Sequence, residues 1–171
     1  MRKQVRMYQV GEYIVHPGQG VCRVEGVVES DMSVYMLHPL SDSHGMRISF
    51  PVESESRLRP VISREQAQGL IDGYGDMDVE ETDGGSVALE EEHFKHELRF
   101  GTCGDAVRVV KTFRRRIAEA QAANKKPPVV YQRLLKQASE RSLQELSVAL
   151  DLTEDEVLGM FERADDSAKA Q

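Results

Sequence analysis

The chain has 171 residues and a formal net charge of −7, with 40% hydrophobic and 30% charged residues, a composition typical of a folded protein. The acidic balance argues against a protein that coats nucleic acid, because such proteins neutralise phosphates over much of their surface. No run approaches the roughly 18 apolar residues needed to cross a bilayer, and no apolar region follows the first basic residues. We therefore expect a cytoplasmic protein with no membrane partner.

The charge is distributed unevenly along the chain. The net charge is zero over residues 1–65, −9 over residues 66–105 and +2 over residues 106–171. Near residue 62 the pattern also changes, from short alternating runs to long amphipathic periods. We therefore predict three segments, namely a β domain (1–62), a helix with an acidic linker (63–86) and a helical bundle (87–171).

Short apolar runs separated by turns rich in Gly and Pro fill the first segment. Strands are predicted to start at Tyr13, Val21, Val34 and Arg47. Pro51 cannot donate to a ladder, so the fourth strand should end there or lie at a sheet edge. Several short strands at close spacing predict a small, strongly bent β-barrel.

The remainder of the chain has the signals of helices. Ser63 and Gln66 match a capping box, and the acidic segment 73–86 is typical of a mobile linker or long loop. Further helices are predicted at about 87–100, 102–123, 127–149 and 153–164. The predicted fold class is α+β, with an N-terminal Tudor/SH3-like β-barrel followed by an all-helical bundle.

No motif in the sequence indicates an enzyme. His93 and His96, at i and i+3 on a predicted helix, lack a third metal ligand at a recognisable spacing, so we expect solvated positions. No Gly-rich phosphate loop follows a strand, and no nucleophile motif is present. Cys22 and Cys103, 81 residues apart, are expected to be packing residues. We accordingly expect no metal, no cofactor and no catalytic residue.

A run of cations on the third predicted helix is the strongest electrostatic feature. Arg108, Lys111 and Arg115 share one face at helical spacing, with Arg114 and Arg116 beside them, and we expect this stripe to be exposed. It either contacts phosphates without reading bases or is an ordinary helix face, partly neutralised by the acidic region. Both interpretations remain open.

Residues 143–164 look like a helix-turn-helix motif, but the charges oppose that interpretation. The presumed recognition helix begins with Glu154, Asp155 and Glu156, at the positions that such a motif places against bases and phosphates. Carboxylates at a helix N-terminus are instead favourable to the helix dipole. We therefore do not predict a helix-turn-helix.

Several runs match a known pattern. Residues 8–21, YQVGEYIVHPGQGV, are similar to V-G-D-x-V-V-Y-P-x-x-G, while ISFPVE at 48–53 and LRPV at 58–61 are similar to later runs of the same family. Residues 98–113 match its C-terminal segment more weakly. On these motifs the chain resembles, over nearly its whole length, the CarD/CdnL family of bacterial RNA-polymerase-binding transcription regulators.

The resemblance implies a Tudor-like barrel that docks on the RNA polymerase β subunit and a helical domain that contacts promoter DNA. Members of this family stabilise the melted promoter, shifting an equilibrium by binding one state better than another. An edge strand suits such docking, because it can pair with a strand of the partner. We expect polymerase binding by Arg47, Ile48 and Ser49, with Arg23.

The chain departs from the family at the DNA contact. Family members usually carry a Trp wedge near the start of the helix that corresponds to 87–100, but the matching position is Glu90 and the sequence contains no Trp. A carboxylate cannot stack on a base and repels phosphate. We therefore expect a monomeric, polymerase-binding regulator whose weak DNA contact comes from Lys95, Arg108, Lys111, Arg114 and Arg115. The alternative is a protein–protein adaptor of the same fold that does not contact promoter DNA.

Overall fold

The computed structural model of the chain describes residues 6–82 and 84–169, with side chains described to residue 166. The chain divides into two compact units, residues 1–61 and 62–171. The first unit is an antiparallel sheet and the second is helical, which confirms the predicted α+β class. No described helix is long and apolar enough to span a membrane.

Five short strands form the sheet of the first unit within residues 6–61. In chain order they are β1 (Tyr13–His16), β2 (Gly20–Val28), β3 (Val34–Pro39), β4 (Ile48–Pro51) and β5 (Arg59–Pro60). Their spatial order is β4-β3-β2-β1-β5, so β4 and β5 are the edges and the prediction of an edge at Pro51 is confirmed. The register of β2 shifts between Val24 and Gly26, a bulge that bends this longest strand.

The core of this unit lies on one face of the sheet. Tyr35 and Leu37 of β3 alternate with half-buried neighbours and are completely buried. The Tyr35 hydroxyl lies 2.5 Å from a carboxylate oxygen of Glu55, in the 3₁₀-helix Val52–Arg57 that follows β4. Burial, together with this hydrogen bond, raises the pKa of Tyr35 to about 12. The pair therefore ties the end of the β4 segment to the centre of the sheet.

The described part of the second unit contains five α-helices. They are α1 (Arg64–Asp72), α2 (Val87–Phe100), α3 (Cys103–Ala122), α4 (Val129–Leu150) and α5 (Glu154–Lys169). Capping boxes begin α1 at Ser63 and α3 at Thr102, each with reciprocal side-chain and backbone bonds. Asp151, in the left-handed region at φ 55°, ends α4.

Two apolar clusters on α3 organise the helical unit. Val107 lies in one cluster with residues of α1, α4 and α5, whereas Phe113 lies in the other with residues of α2 and α4. The first cluster also includes Tyr74, which is only 3% exposed, and Met77 packs against it. The segment predicted as a linker is therefore anchored to the helical unit in its first half. Of its few apolar side chains, Tyr74 is buried and Met77 and Val79 are half-buried.

Candidate functional site

The hydrogen-bonding direction of β4 determines what its edge offers to a partner. Ser49 pairs with Met36 and Phe50 with Tyr35 in the register with β3, and the Val52 N–H donates to the Ser33 carbonyl at 2.9 Å. Hydrogen-bonded pairs alternate in an antiparallel ladder, so the backbone groups of Phe50 face β3 whereas those of Ser49 face away from the sheet.

Pro51 is the second outward-facing position of this edge. A proline there forfeits no ladder bond, because its missing N–H would point away from β3. The Ile48 and Phe50 side chains pack against the core, whereas the Ser49 side chain is exposed. Of the predicted docking residues, Ser49 therefore presents backbone groups to a partner, while Ile48 holds the strand on its core.

The two arginines predicted to bind polymerase lie at different places on the sheet. Arg47 immediately precedes β4 and forms an ion pair with Glu25 of β2. Arg23 is exposed on β2 and lies opposite His38 of β3. His38 is two residues from Met36, which lies opposite Ser49. Residues two apart share a face, so Arg23 and Ser49 lie on the same side of the sheet.

A short loop fixes the approach to β4. The Asp42 carboxylate accepts hydrogen bonds from the backbone N–H groups of Met46 at 2.6 Å and His44 at 3.1 Å. These bonds, the one from Met46 foremost, hold the pKa of Asp42 below its usual range. The loop between β3 and β4 is thus closed by its own carboxylate, immediately before Arg47.

Lys111 of α3 does not project into solvent as predicted. Its Nζ donates to the carbonyl oxygens of Tyr74 at 2.7 Å, Gly75 at 3.0 Å and Met77 at 2.6 Å. An ammonium has three donors, so the three carbonyls match its full hydrogen-bonding capacity. Lys111 is half-buried and holds the start of the acidic segment against α3.

Arg116 fills a similar role one and a half turns further along α3. It donates to a Glu90 carboxylate oxygen at 2.5 Å and to the Glu80 carbonyl at 3.0 Å. Its guanidinium lies over three aromatic rings, with centroid distances of 5.2 to 5.7 Å. Burial opposes the charge, but the bond to Glu90 and its negative charge outweigh burial and raise the pKa of Arg116. Glu90, which the resemblance aligns with the Trp wedge, is therefore part of an internal ion pair.

Partners within the chain also occupy most of the remaining predicted DNA contacts. Arg108 is half-buried and bonded to Glu97 and Asp105. Arg115 and Lys95 are more exposed, but they pair with acids four residues away on their own helices, at 3.0 and 2.9 Å respectively. Arg114 is exposed and forms no ion pair with a described residue. The prediction of an exposed stripe is therefore wrong for Arg108 and Lys111.

The groups that accept hydrogen bonds from these cations could not be identified from the sequence, for a physical reason. Lys111 binds backbone carbonyls, which every residue type carries, so no sequence pattern marks them. The acids 80, 90 and 97 are distant from α3 along the chain but lie next to it in the fold. The strongly acidic composition of the region was the available signal, and it favoured the interpretation of a neutralised helix face.

Among the described residues, one group of side chains could hold a metal ion. It consists of Glu80, His93 and Glu97, whose ligand atoms lie within 4.8 Å of one another. His96, the other histidine of the sequence-derived pair, is not a member. Glu80 lies 13 residues before His93, in an irregular segment, so spacing alone could not identify it as the third ligand.

Comparison with known proteins identifies the first unit. Residues 8–62 match the family model described as the CarD-like/TRCF RID domain. The match spans the whole sheet, including the β4 edge, and stops where the helical unit begins. No curated protein matches the chain.

Proposed function

From the premise that residues 8–62 form a CarD-like/TRCF RID domain, we propose that the chain is a transcription regulator that binds the β subunit of RNA polymerase. It modulates the stability of the promoter open complex by binding, without bond chemistry. A regulator of this kind acts only through a difference in affinity between two promoter states. The match supports a transcription-related protein that interacts with RNA polymerase. We further propose that it docks on the β subunit and acts on the open complex.

The β4 edge is the observation that supports docking. Ser49 turns its backbone donor and acceptor away from the sheet, and its side chain is exposed. A partner strand can extend the sheet by pairing with these groups, while the side chains nearby select the partner. Exposed Arg23 on β2 provides positive charge on the same face two strands away, while Arg47, next to the edge, is partly exposed but already paired with Glu25.

Two substitutions at one position test this mode of binding. Ser49→Pro removes the outward N–H but leaves the bonds to β3, because Pro51 already occupies an equivalent position. Loss of that donor leaves a partner carbonyl unpaired, which costs about 1–3 kcal/mol, or roughly a 5- to 150-fold weaker affinity. Ser49→Ala removes only the hydroxyl and should bind like wild type.

The assay measures binding of the full-length variants to purified β subunit and to core polymerase, with circular dichroism as a control for folding. Equal affinity of the folded Ser49→Pro and Ser49→Ala variants would exclude pairing at this edge. Failure of the wild-type chain to bind either preparation would exclude the proposed function itself.

In this proposal the helical unit contacts promoter DNA weakly. Arg114 is its best candidate, since it is exposed and forms no ion pair with a described residue; the exposed parts of Arg115 and Lys95 are further candidates. Each phosphate contact adds to the salt dependence of binding. The dependence should therefore be shallow, because few cations are available.

A second candidate function is a protein–protein adaptor of the same fold that does not contact promoter DNA. The internal bonds of Arg108, Lys111 and Arg116 favour it, because cations bound to carboxylates and carbonyls do not attract phosphate strongly. Arg114→Glu discriminates the two functions, with Arg163→Glu on α5 as a control of equal charge change. A loss of affinity for the polymerase–promoter complex at low salt, specific to Arg114→Glu, supports DNA contact, and unchanged affinity supports the adaptor.

A further inference from the structure

We propose that Glu80, His93 and Glu97 form a binding site for a divalent metal ion of the zinc type. His93 and Glu97 are separated by four residues on α2, so they lie on one face of the helix. Glu80 comes from the irregular segment before α2. The three ligands thus belong to two parts of the chain that a bound ion would hold together.

The three ligand atoms lie close enough together for one metal ion to bind them after small side-chain adjustments. His93 Nε2 lies 2.8 Å from Glu80 Oε1 and 3.4 Å from Glu97 Oε2, and all three ligand atoms lie within 4.8 Å of one another. Zinc binds nitrogen and oxygen at about 2.0–2.2 Å in tetrahedral geometry, so neighbouring ligand atoms are separated by roughly 3.3–3.5 Å. Small side-chain adjustments bring the observed distances to these values.

The hydrogen bonds of the two carboxylates leave oxygen atoms for an ion. Arg108 binds Oε1 of Glu97, while Oε2 of Glu97 and Oε2 of Glu80 are buried without a hydrogen-bond partner among the described residues. The Glu97 side chain is only 12% exposed. Buried carboxylate oxygens are rarely left without a partner, and an ion ligated by Glu97 Oε2 would give that oxygen one; it would also partner Glu80 Oε2 if Glu80 bound it through both oxygens.

The surroundings favour a cation and allow it to enter. Residues 66–105 carry a net charge of −9, and the two carboxylates of the site outnumber the single cation beside it, Arg108. The site opens into a cavity of about 330 Å³, which His96 and Phe100 also line. One imidazole and two carboxylates suit zinc, with a water molecule as the fourth ligand.

Metal binding would stabilise the contact between the acidic segment and α2. An ion that binds only the folded chain raises its stability with the logarithm of its concentration. Without the ion, only the hydrogen bond between His93 and Glu80 links these two side chains. The proposed site is independent of polymerase docking, because all of its ligands belong to the helical unit.

The test uses the untagged, full-length chain after treatment with a chelator. Isothermal titration with Zn²⁺ should give one saturable site per chain, and metal analysis after gel filtration should recover about one zinc. The melting temperature of the helical unit should rise with zinc concentration. Titration with Mg²⁺ under the same conditions should give no such site, since magnesium retains its water ligands and prefers oxygen.

Variants locate the site. His93→Ala and Glu80→Gln should each weaken zinc binding at least about tenfold, since even the loss of a group that only orients a ligand costs 10- to 100-fold in metal affinity. His96→Ala is the matched control, because it removes an exposed histidine from the same cavity and helix and should bind zinc like wild type. If His93→Ala does not fold, Glu80→Gln on the irregular segment provides the same comparison.

Two results would overturn the proposal. Absence of saturable zinc binding to the wild-type chain would show that the three side chains form only an ion-paired cluster. Equal zinc affinity of wild type and a folded Glu80→Gln or His93→Ala variant would place the metal elsewhere.

Discussion

Replacement of Lys111 by methionine tests whether the cations of α3 stabilise the helical unit. Methionine keeps the length of the aliphatic side chain but removes the ammonium, which donates to three carbonyls at 2.6 to 3.0 Å. The ammonium also lies 5.4 Å from the centroid of the Tyr74 ring. The substitution therefore removes the polar contacts while leaving the packing nearly unchanged.

The magnitude follows from the number and the environment of these bonds. A hydrogen bond to a charged group contributes about 1.5–3 kcal/mol, but water can reach part of this half-buried site and replace some of the lost bonds. We therefore take about 3 kcal/mol as the total loss, including about 0.5 kcal/mol from the contact with the ring. For a unit of about 110 residues, this corresponds to a fall of roughly 12 °C in melting temperature.

Thermal unfolding followed by circular dichroism, with denaturant titration, measures the effect. Arg114→Met on the same helix is the control, because this exposed arginine has no ion pair with a described residue and its loss should cost no more than about 0.5 kcal/mol. A Lys111→Met variant as stable as Arg114→Met would refute the stabilising role. Loss of promoter affinity at unchanged stability would instead identify Lys111 as a DNA ligand.

Two further predictions concern other buried contacts. Arg116→Lys should lower the free energy of unfolding of the helical unit by about 1–3 kcal/mol, because a lysine cannot reproduce the planar contacts with Glu90 and the aromatic rings. Denaturant titration measures this loss, and a loss below about 0.5 kcal/mol would contradict the prediction. The pKa of Tyr35 is raised to about 12, so its contribution to stability is complete below pH 10 and is lost as the pH rises from 10 to 12. Urea titrations at stepped pH should therefore show a steeper alkaline decline for wild type than for Tyr35→Phe, and parallel declines would contradict the shift.

Local patterns in the sequence predicted most of the elements. Four strands, the edge at Pro51 and the capping box at Ser63 follow from alternation, from a missing donor and from side-chain spacing, all of which are encoded within a few residues. Strand β5, Arg59–Pro60, was missed because two residues cannot display a period. Its pairing with β1 is a tertiary contact.

The candidate sites were less predictable than the elements. Helical periodicity placed Arg108, Lys111 and Arg115 on one face, but exposure depends on what packs against that face. Lys111 binds backbone carbonyls, which every residue has, so no sequence pattern predicts this contact. Glu80 contacts His93 because of the path that an irregular segment takes in the fold. Contacts of this kind depend on the folded chain path, which a local pattern does not contain.

The bonds from α3 to the acidic segment involve mainly main-chain atoms. Lys111 and Arg116 donate to carbonyl oxygens, and the Glu80 N–H donates to Thr112 Oγ1 at 3.1 Å. Because the segment provides these atoms whatever its side chains are, exposed positions such as Asp76 and Asp78 can be exchanged without loss of the bonds. The segment is thus a suitable location for grafting a short recognition peptide, whose path would be imposed by the helix beneath it.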